Sequence, residues 1–452
     1  MRRPARLTVD RAATTAWLSR AGPLFLFGAF MAANAFAYLY QMLLSRTLAP
    51  PEYGAMVTLT SIFYVLAVFW RAGQAWVIDA VAGSTRAVPV LPRSIVVIAV
   101  RALLPIGLLV VAASAIASPP IVDFLHLRES GPILVVGAYL ATSFLLPVAV
   151  GIPLGLQRLL LASGVIVIEP IIRLGLGLAL VALGLGLDGA LGGYVAGNIA
   201  AFVAVLILLR PALRRAPRAE AAPPITLRLD RYAVAALAIN AGLMTIASVD
   251  LVLVKHFFDD NIAGNYAVAF LLGRIMSMGA ISLAWVIFVQ SATLDPSDPK
   301  RAQLLARAII LTVAIALPFT AAYLIAPSVA VLLMAGPNYS LARQYVGLVG
   351  VEMALFSLVY VQVYYHLSVR QLRVIWPLII ATVAEIVIIS QLHGSIEQVL
   401  VELVAVMGTL LVVVSLLSVN LFRGAALPHS VPHADWPSQS LSPVGEPTGG
   451  TP

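Results

Sequence analysis

The chain contains no cysteine among its 452 residues. Disulfides, thiolate metal sites and cysteine nucleophiles are therefore excluded, and the redox state of its compartment leaves no trace in it. Charge is nearly as scarce, at 11% Asp, Glu, Lys and Arg against about a quarter in a soluble domain. No water-soluble fold could hide the 61% of residues that are hydrophobic. There is no GxxxxGK[ST] stretch, so this chain has no P-loop with which to hydrolyse ATP. The histidines show no zinc-type spacing, and no metal or other cofactor is expected.

What is present is apolar sequence in repeated blocks. A bilayer crossing needs about 20 mostly apolar residues, and such blocks recur from Gly22 to Leu421 with short polar breaks. They predict spans over 22–44, 54–82, 94–117, 131–156, 160–187 and 190–209, then 232–254, 264–290, 308–326, 345–367, 374–392 and 397–421. The expected fold class is an all-α polytopic membrane protein with about twelve transmembrane helices. Arginines precede the first block as in a signal peptide, but the block runs to Leu44. That exceeds a signal-peptide core of about 7–15 residues, and a retained first helix is expected.

The net charge of +8 would suggest nucleic acid in a soluble protein. Here its placement gives it another meaning. With the N-terminus inside, 20 basic residues fall in inner segments and four, Arg46, Arg128, Lys255 and Arg343, in outer ones; Arg71, Arg101, Arg173 and Arg274 lie within spans. The positive-inside rule then puts both termini in the cytoplasm, and no nucleic-acid partner is expected. The domain reading is a basic N-terminal segment (1–21), an N-lobe of six spans (22–210), a basic linker (211–231), a C-lobe of six spans (232–421) and a tail (422–452). The tail is rich in Pro, Ser and Gly and is expected to be disordered.

A weak internal repeat supports two lobes. The stretch opening at Arg93 resembles the one opening at Arg307, 307 − 93 = 214 residues on. Tyr53 with Tyr266 and Gln157 with Gln371 fall at nearly the same displacement, whereas Arg46 would match Lys255 and Gln41 would match Asp250 at 255 − 46 = 209. An even number of spans per repeat gives both lobes one topology, related by a pseudo-twofold axis along the membrane normal.

Three turns carry a family resemblance. The first is Leu43-Leu44-Ser45-Arg46-Thr47-Leu48-Ala49-Pro50-Pro51-Glu52-Tyr53-Gly54; the second is Asp250-Leu-Val-Leu-Val-Lys255 followed by Ala263-Gly264-Asn265-Tyr266-Ala267; the third is Met334-Ala335-Gly336-Pro337-Asn338-Tyr339. They resemble signatures of the polysaccharide and O-antigen flippases, the oligosaccharide branch of the multidrug, oligosaccharidyl-lipid and polysaccharide exporter superfamily. The resemblance implies a MATE-like fold, two pseudo-symmetric six-helix lobes around a central cavity, in a bacterial cytoplasmic (inner) membrane. It also implies alternating-access transport of lipid-diphosphate-linked oligosaccharide, with membrane lipid and the polymerase and export machinery of a polysaccharide pathway as partners.

Intramembrane polar residues are the candidate site. Asn34, Tyr38, Gln41 and Ser45 stack on one face of the first helix, toward a wet cavity or as polar glue between helices. An arginine at mid-span costs about 2.5–3.5 kcal/mol on insertion scales, so Arg71 and Arg274 should meet water, a carboxylate or an anion. Guanidinium matches diphosphate well, and Arg46 and Lys255 would add cations at the outer mouth or snorkel to headgroups. Gln74 and Asn240 join Asn34, Tyr38 and Gln41 as candidates for sugar hydroxyls. Asp79, Glu169 and Asp250, with Glu352 and Glu385, are the candidate ion-coupling acids; Glu169 and Arg173, at i and i+4, also suit a structural pair. His126, His256 and His393 look isolated near outer ends, and His366, beside Tyr364 and Tyr365, suits an interfacial aromatic belt or a pH sensor.

Two other functions compete. A drug or organic-cation antiporter of the MATE branch would share the architecture and need an acidic or aromatic cavity. A membrane glycan polymerase or ligase would need a sizeable outer loop, and all the predicted outer loops are short. No enzymatic activity is expected.

Overall fold

In a computed structural model of the chain, residues 11–87, 93–215, 231–292 and 300–425 are described. The expected disordered tail lies almost wholly outside them, as do most of the linker and the first ten residues. The described residues form fifteen α-helices and no strand. The first seven are α1 (Arg11–Thr47), α2 (Pro50–Ala87), α3 (Arg93–Leu125), α4 (Gly131–Ser143), α5 (Leu145–Gly155), α6 (Leu159–Leu180) and α7 (Gly186–Arg215). The rest are α8 (Arg231–Ile246), α9 (Val249–Phe257), α10 (Asp260–Ala292), α11 (Lys300–Ile325), α12 (Pro327–Ala335), α13 (Ala342–Ser368), α14 (Ile375–Gln391) and α15 (Ile396–Ala425).

Leu, Val, Ala and Ile dominate every helix, and in lipid each backbone N–H and C=O must be satisfied within its own segment. Among the described residues, ten segments are long and apolar enough to cross a membrane. One of them, Leu159–Arg210, spans 52 residues, about 78 Å at 1.5 Å per residue against a hydrocarbon core of about 30 Å. It is two crossings folded back at Gly184 (φ 89°) and Gly186 (φ 45°), positive values that glycine adopts without a Cβ clash. With α2, 38 residues long, the helices arrange as six and six: α1, α2, α3, α4–α5, α6 and α7, then α8–α9, α10, α11–α12, α13, α14 and α15. Three of these crossings are broken, at Phe144 between α4 and α5, at Ala247–Ser248 between α8 and α9, and at Ala326 between α11 and α12.

Turn geometry sets the register of the repeat. At one face, Gln157 (φ 57°) and Arg370 (φ 58°) are both left-handed. Gln157 N bonds Leu154 O and Arg158 N bonds Pro153 O; Arg370 N bonds Leu367 O and Gln371 N bonds His366 O in the same pattern. The displacement there is 370 − 157 = 213, so Gln157 corresponds to Arg370 and not to Gln371. At the opposite face Leu48 N→Leu44 O and Tyr53 N→Ala49 O are repeated by Phe258 N→Val254 O and Ala263 N→Asp259 O, at 263 − 53 = 210. Tyr53 therefore corresponds to Ala263 and not Tyr266, and the one-residue change in register parts Arg46 from Lys255 and Gln41 from Asp250.

The buried core is asymmetric from end to end. One apolar cluster runs through both lobes, from Tyr40, Leu44, Tyr53 and Met56 to Val254, Tyr266, Val331 and Tyr339. A second belongs to the N-lobe alone, joining Val77, Val81, Val148, Val165, Val205 and Leu209. The lobes thus share a core at the face with few basic residues and hold part of their core separately toward the other.

Candidate functional site

The three sequence turns meet where the lobes meet. Gly54 opens onto Gly264, its counterpart in the repeat: a Cβ on Gly54 would lie 2.9 Å from the Gly264 Cα, and one on Gly264 would lie 2.0 Å from the Pro50 carbonyl oxygen. No larger residue fits at Gly264 without parting the backbones. Tyr53 meets Tyr339 edge-on, with centroids 5.8 Å apart, and the Tyr339 hydroxyl donates to Leu48 O at 3.5 Å. Burial, reinforced by Glu52, pushes the Tyr339 phenol up, well above its ordinary value. Asn265 accepts from Leu341 N and Ala342 N, both at 3.1 Å, and so caps the start of α13.

The N-lobe also caps a helix of the C-lobe. An α-helix ends with carbonyls that lack intrahelical partners, and two of those of α12 receive theirs from α1: Arg46 Nη2 donates to Leu333 O at 2.7 Å and Ser45 Oγ to Met334 O at 3.3 Å, while Leu332 O, bonded by Gly336 N at 3.1 Å, also accepts from Arg46 at 3.4 Å. Farther along the same face, Phe124 stacks on His256 (4.0 Å), His256 on His126 (5.6 Å) and Phe257 on His393 (4.1 Å), and His256 Nδ1 contacts Phe124 O at 2.6 Å. Three histidines that look isolated in sequence therefore form one aromatic bridge between the lobes.

Within the N-lobe, Arg173 bonds Glu169 at 3.1 Å. Its guanidinium lies over Tyr194 (4.6 Å) and Tyr40 (5.8 Å), and Gln41 Nε2 donates to the Tyr194 hydroxyl at 3.0 Å. The first-helix stripe is divided. Gln41 and Ser45 are buried in these contacts, whereas Asn34 and Tyr38 are half-buried.

In the C-lobe, Asp250 on α9, Glu352 on α13 and Glu385 on α14 are buried at 3%, 3% and 1% exposure, close enough to act on one another electrostatically. Arg274 on α10 faces Asp250 and Glu352, contacts Ala247 O at 3.4 Å and lies 5.5 Å from the Phe270 ring centre. The Tyr266 hydroxyl donates to Asp250 Oδ2 at 2.5 Å. Asp250 Oδ1, both Glu385 oxygens and the Ser248 hydroxyl are buried without a hydrogen-bond partner. All of this surrounds the break between α8 and α9. Two acids from distant parts of the chain face one guanidinium and the third, Glu385, faces those acids, and the charge this leaves is what a proton or a cation can settle.

The remaining sequence candidates are placed as follows. Lys255 is buried and paired with Asp260 in the turn after α9. Asn240 donates to Ala236 O and accepts from Tyr364 at 2.6 Å. Gln74 is half-buried. Arg71 and Asp79 belong to α2, but their side chains lie outside the described residues. Sequence reasoning missed Tyr266, Asp260, Tyr194 and the Gly54–Gly264 contact. The short motif Ala263-Gly264-Asn265-Tyr266 was the available signal, since each residue in it has its own partner.

These features define a fold class: two repeated six-crossing helical lobes closed on each other at one face. Solved structures with this fold include an inward-facing multidrug resistance MATE family transporter of the MOP superfamily (TM-score 0.66, 14% identity, 87% of this chain and 95% of that one). They also include the lipid II flippase MurJ in an inward closed conformation (TM-score 0.62, 11% identity, 89% and 90%). An outward-facing MATE family transporter aligns less well, at TM-score 0.55 with 15% identity over 90% and 97%. No protein-family model and no curated protein matches the sequence. The fold is that of MOP superfamily transporters, and the protein is an all-α, multi-pass membrane protein.

Proposed function

We propose that this protein flips lipid-diphosphate-linked oligosaccharide, the repeat unit of a bacterial polysaccharide or O-antigen, across the cytoplasmic membrane by alternating closure of its two lobes. The observation that carries the reading is that the three turns resembling polysaccharide-flippase signatures are the ones that meet at the seal. The likeness is thus in the moving joint and not in apolar filler. In this reading the sealed face is the outer one, and the headgroup enters from the basic, cytoplasmic side. Arg71 and Arg274 bind its diphosphate; Asn34, Tyr38, Gln74 and Asn240 meet its sugars, joined by Gln41 once the seal opens. Lys255 becomes available at the outer mouth only after that opening, whereas Arg46 is exposed there already. The C-lobe acids take up the coupling proton or cation, which releases Arg274 from Asp250 and Glu352 to the substrate phosphates, while Glu169 remains paired.

One observation favours a second reading, an ion-coupled antiporter of organic cations: the excess of buried acid over base around Asp250 suits a cationic ligand. Proteoliposomes separate the two. Translocation of a polyprenyl-diphosphate oligosaccharide that is lost in Arg274→Ala, with folding retained, supports the flippase. Gradient-driven efflux of organic cations without any lipid translocation would replace it with the antiporter.

A further inference from the structure

The outer end of α12 carries a feature that flipping does not by itself require. Arg46 is exposed and lines a crevice of about 470 Å³ with Leu332, Leu333, Ala335, Gly336, Pro337 and Asn338. No acid lines this crevice, and among the described residues no carboxylate pairs with Arg46. Its hydrogen bonds go to two neutral carbonyls of the other lobe. A guanidinium so placed favours a helix C-terminus. It prefers a phosphate group more strongly, because both partners are then charged and the bonds form as a parallel fork. A crevice of this size is within the range that holds small ligands, and the guanidinium is already at its wall.

We propose that Arg46 is an anion-released latch: a diphosphate reaching the outer crevice draws the guanidinium from the Leu332 and Leu333 carbonyls, removes one cap from α12 and loosens the N-lobe from the C-lobe. The inference rests on the proposed diphosphate substrate for its biological meaning, but the site itself selects only for a multiply charged phosphate. Contact is lost stepwise. Once Arg46 leaves, Ser45 remains as the other α1 cap on α12, with a longer bond. The Gly54–Gly264 approach supplies steric fit but no hydrogen bond. An exported headgroup would thereby open the door through which it leaves.

The absence of native cysteine makes the test direct, since an introduced pair holds the only thiols. Glu129→Cys and Ser340→Cys place spin labels at exposed positions on opposite lobes of the sealed face. Distances are then measured in phosphatidylcholine nanodiscs with inorganic diphosphate, with polyprenyl diphosphate in the lipid, and with sodium sulfate at matched ionic strength. The expected result is that inorganic or lipid-held diphosphate raises the open fraction about tenfold, as loss of one charge-assisted contact implies, while sulfate does not. A response to the lipid alone identifies a membrane-held diphosphate as the trigger, and a response to both identifies any diphosphate. Arg46→Gln should show the raised open fraction without ligand and not respond further, and Arg46→Lys should stay closed with a weaker response. No change in the unsubstituted background, equal opening by sulfate, or an unaltered response in Arg46→Gln overturns the latch. Lipid translocation is measured on the same preparations. Intact flipping with no diphosphate response removes only the latch, and a diphosphate response without flipping removes only the proposed substrate.

Discussion

The two lobes descend from one pattern but handle buried charge in opposite ways. In the N-lobe one acid meets one base: Glu169 and Arg173 are bonded at 3.1 Å and enclosed by Tyr40 and Tyr194. In the C-lobe three acids cluster with a single arginine, which faces two of them, around a broken helix, and carboxylate oxygens are left unbonded. A paired buried charge resists change because removing either partner strands the other. An unbalanced cluster has alternative states within reach. In the proposed mechanism the Glu169–Arg173 pair is scaffold and the C-lobe cluster is the responsive centre.

The sharpest way to break this comparison is to substitute both centres. Arg173→Met should destabilise the protein by about 3 kcal/mol by stranding Glu169, and Glu169→Leu in the same chain should restore most of that. Thermal unfolding in detergent checks both, and a failure of the second substitution to rescue would show that the pair does more than balance charge. Glu385→Gln should leave folding intact, or raise the melting temperature, while reducing gradient-driven transport at least tenfold. Unchanged coupling would remove the C-lobe cluster from the mechanism.

Smaller effects sharpen the picture of the joint. Gly264→Ala should hold the lobes apart, lowering transport severalfold with little loss of helicity. A label pair across the face reads the gap, and an unaltered gap would mean that the backbones can yield. Asn265→Ala removes the α13 cap and should cost about 1 kcal/mol, measurable by denaturation. The least loss is expected from Gly164→Ala, where nothing lies within 4 Å of the added carbon and the gain in helix propensity is about 0.5–1 kcal/mol. A destabilisation there would mean that the N-lobe is less open around α6 than it looks.

Much of the architecture is legible in the residues, because apolar runs interrupted by arginine-rich breaks leave few alternatives for where the chain crosses. Pairing across the fold is harder to read. Asp250, Glu352 and Glu385 lie on three helices more than a hundred residues apart at their extremes, and nothing local marks them as neighbours. Lys255 invites reading as a free cation, yet its partner Asp260 is only five residues on, across a turn whose geometry the spacing does not reveal. Gln41 fits a wet stripe by helical periodicity, but periodicity gives a face and not what covers it, and Tyr194 of α7 does. The repeat was visible but misaligned by one to three residues, since Leu, Ala and Val give too little contrast to fix register. Backbone hydrogen bonds in the turns provide that contrast.

The meeting of Gly54 with Gly264 has a consequence for ancestry. Under twofold symmetry a residue can touch its own counterpart only on the axis, as in the isologous interface of a homodimer. Six crossings return a chain to the side it started from, so two half-length copies would lie parallel in the membrane and could meet at this glycine. The joint between the lobes is therefore what a dimer interface looks like after its two subunits have been fused into one chain.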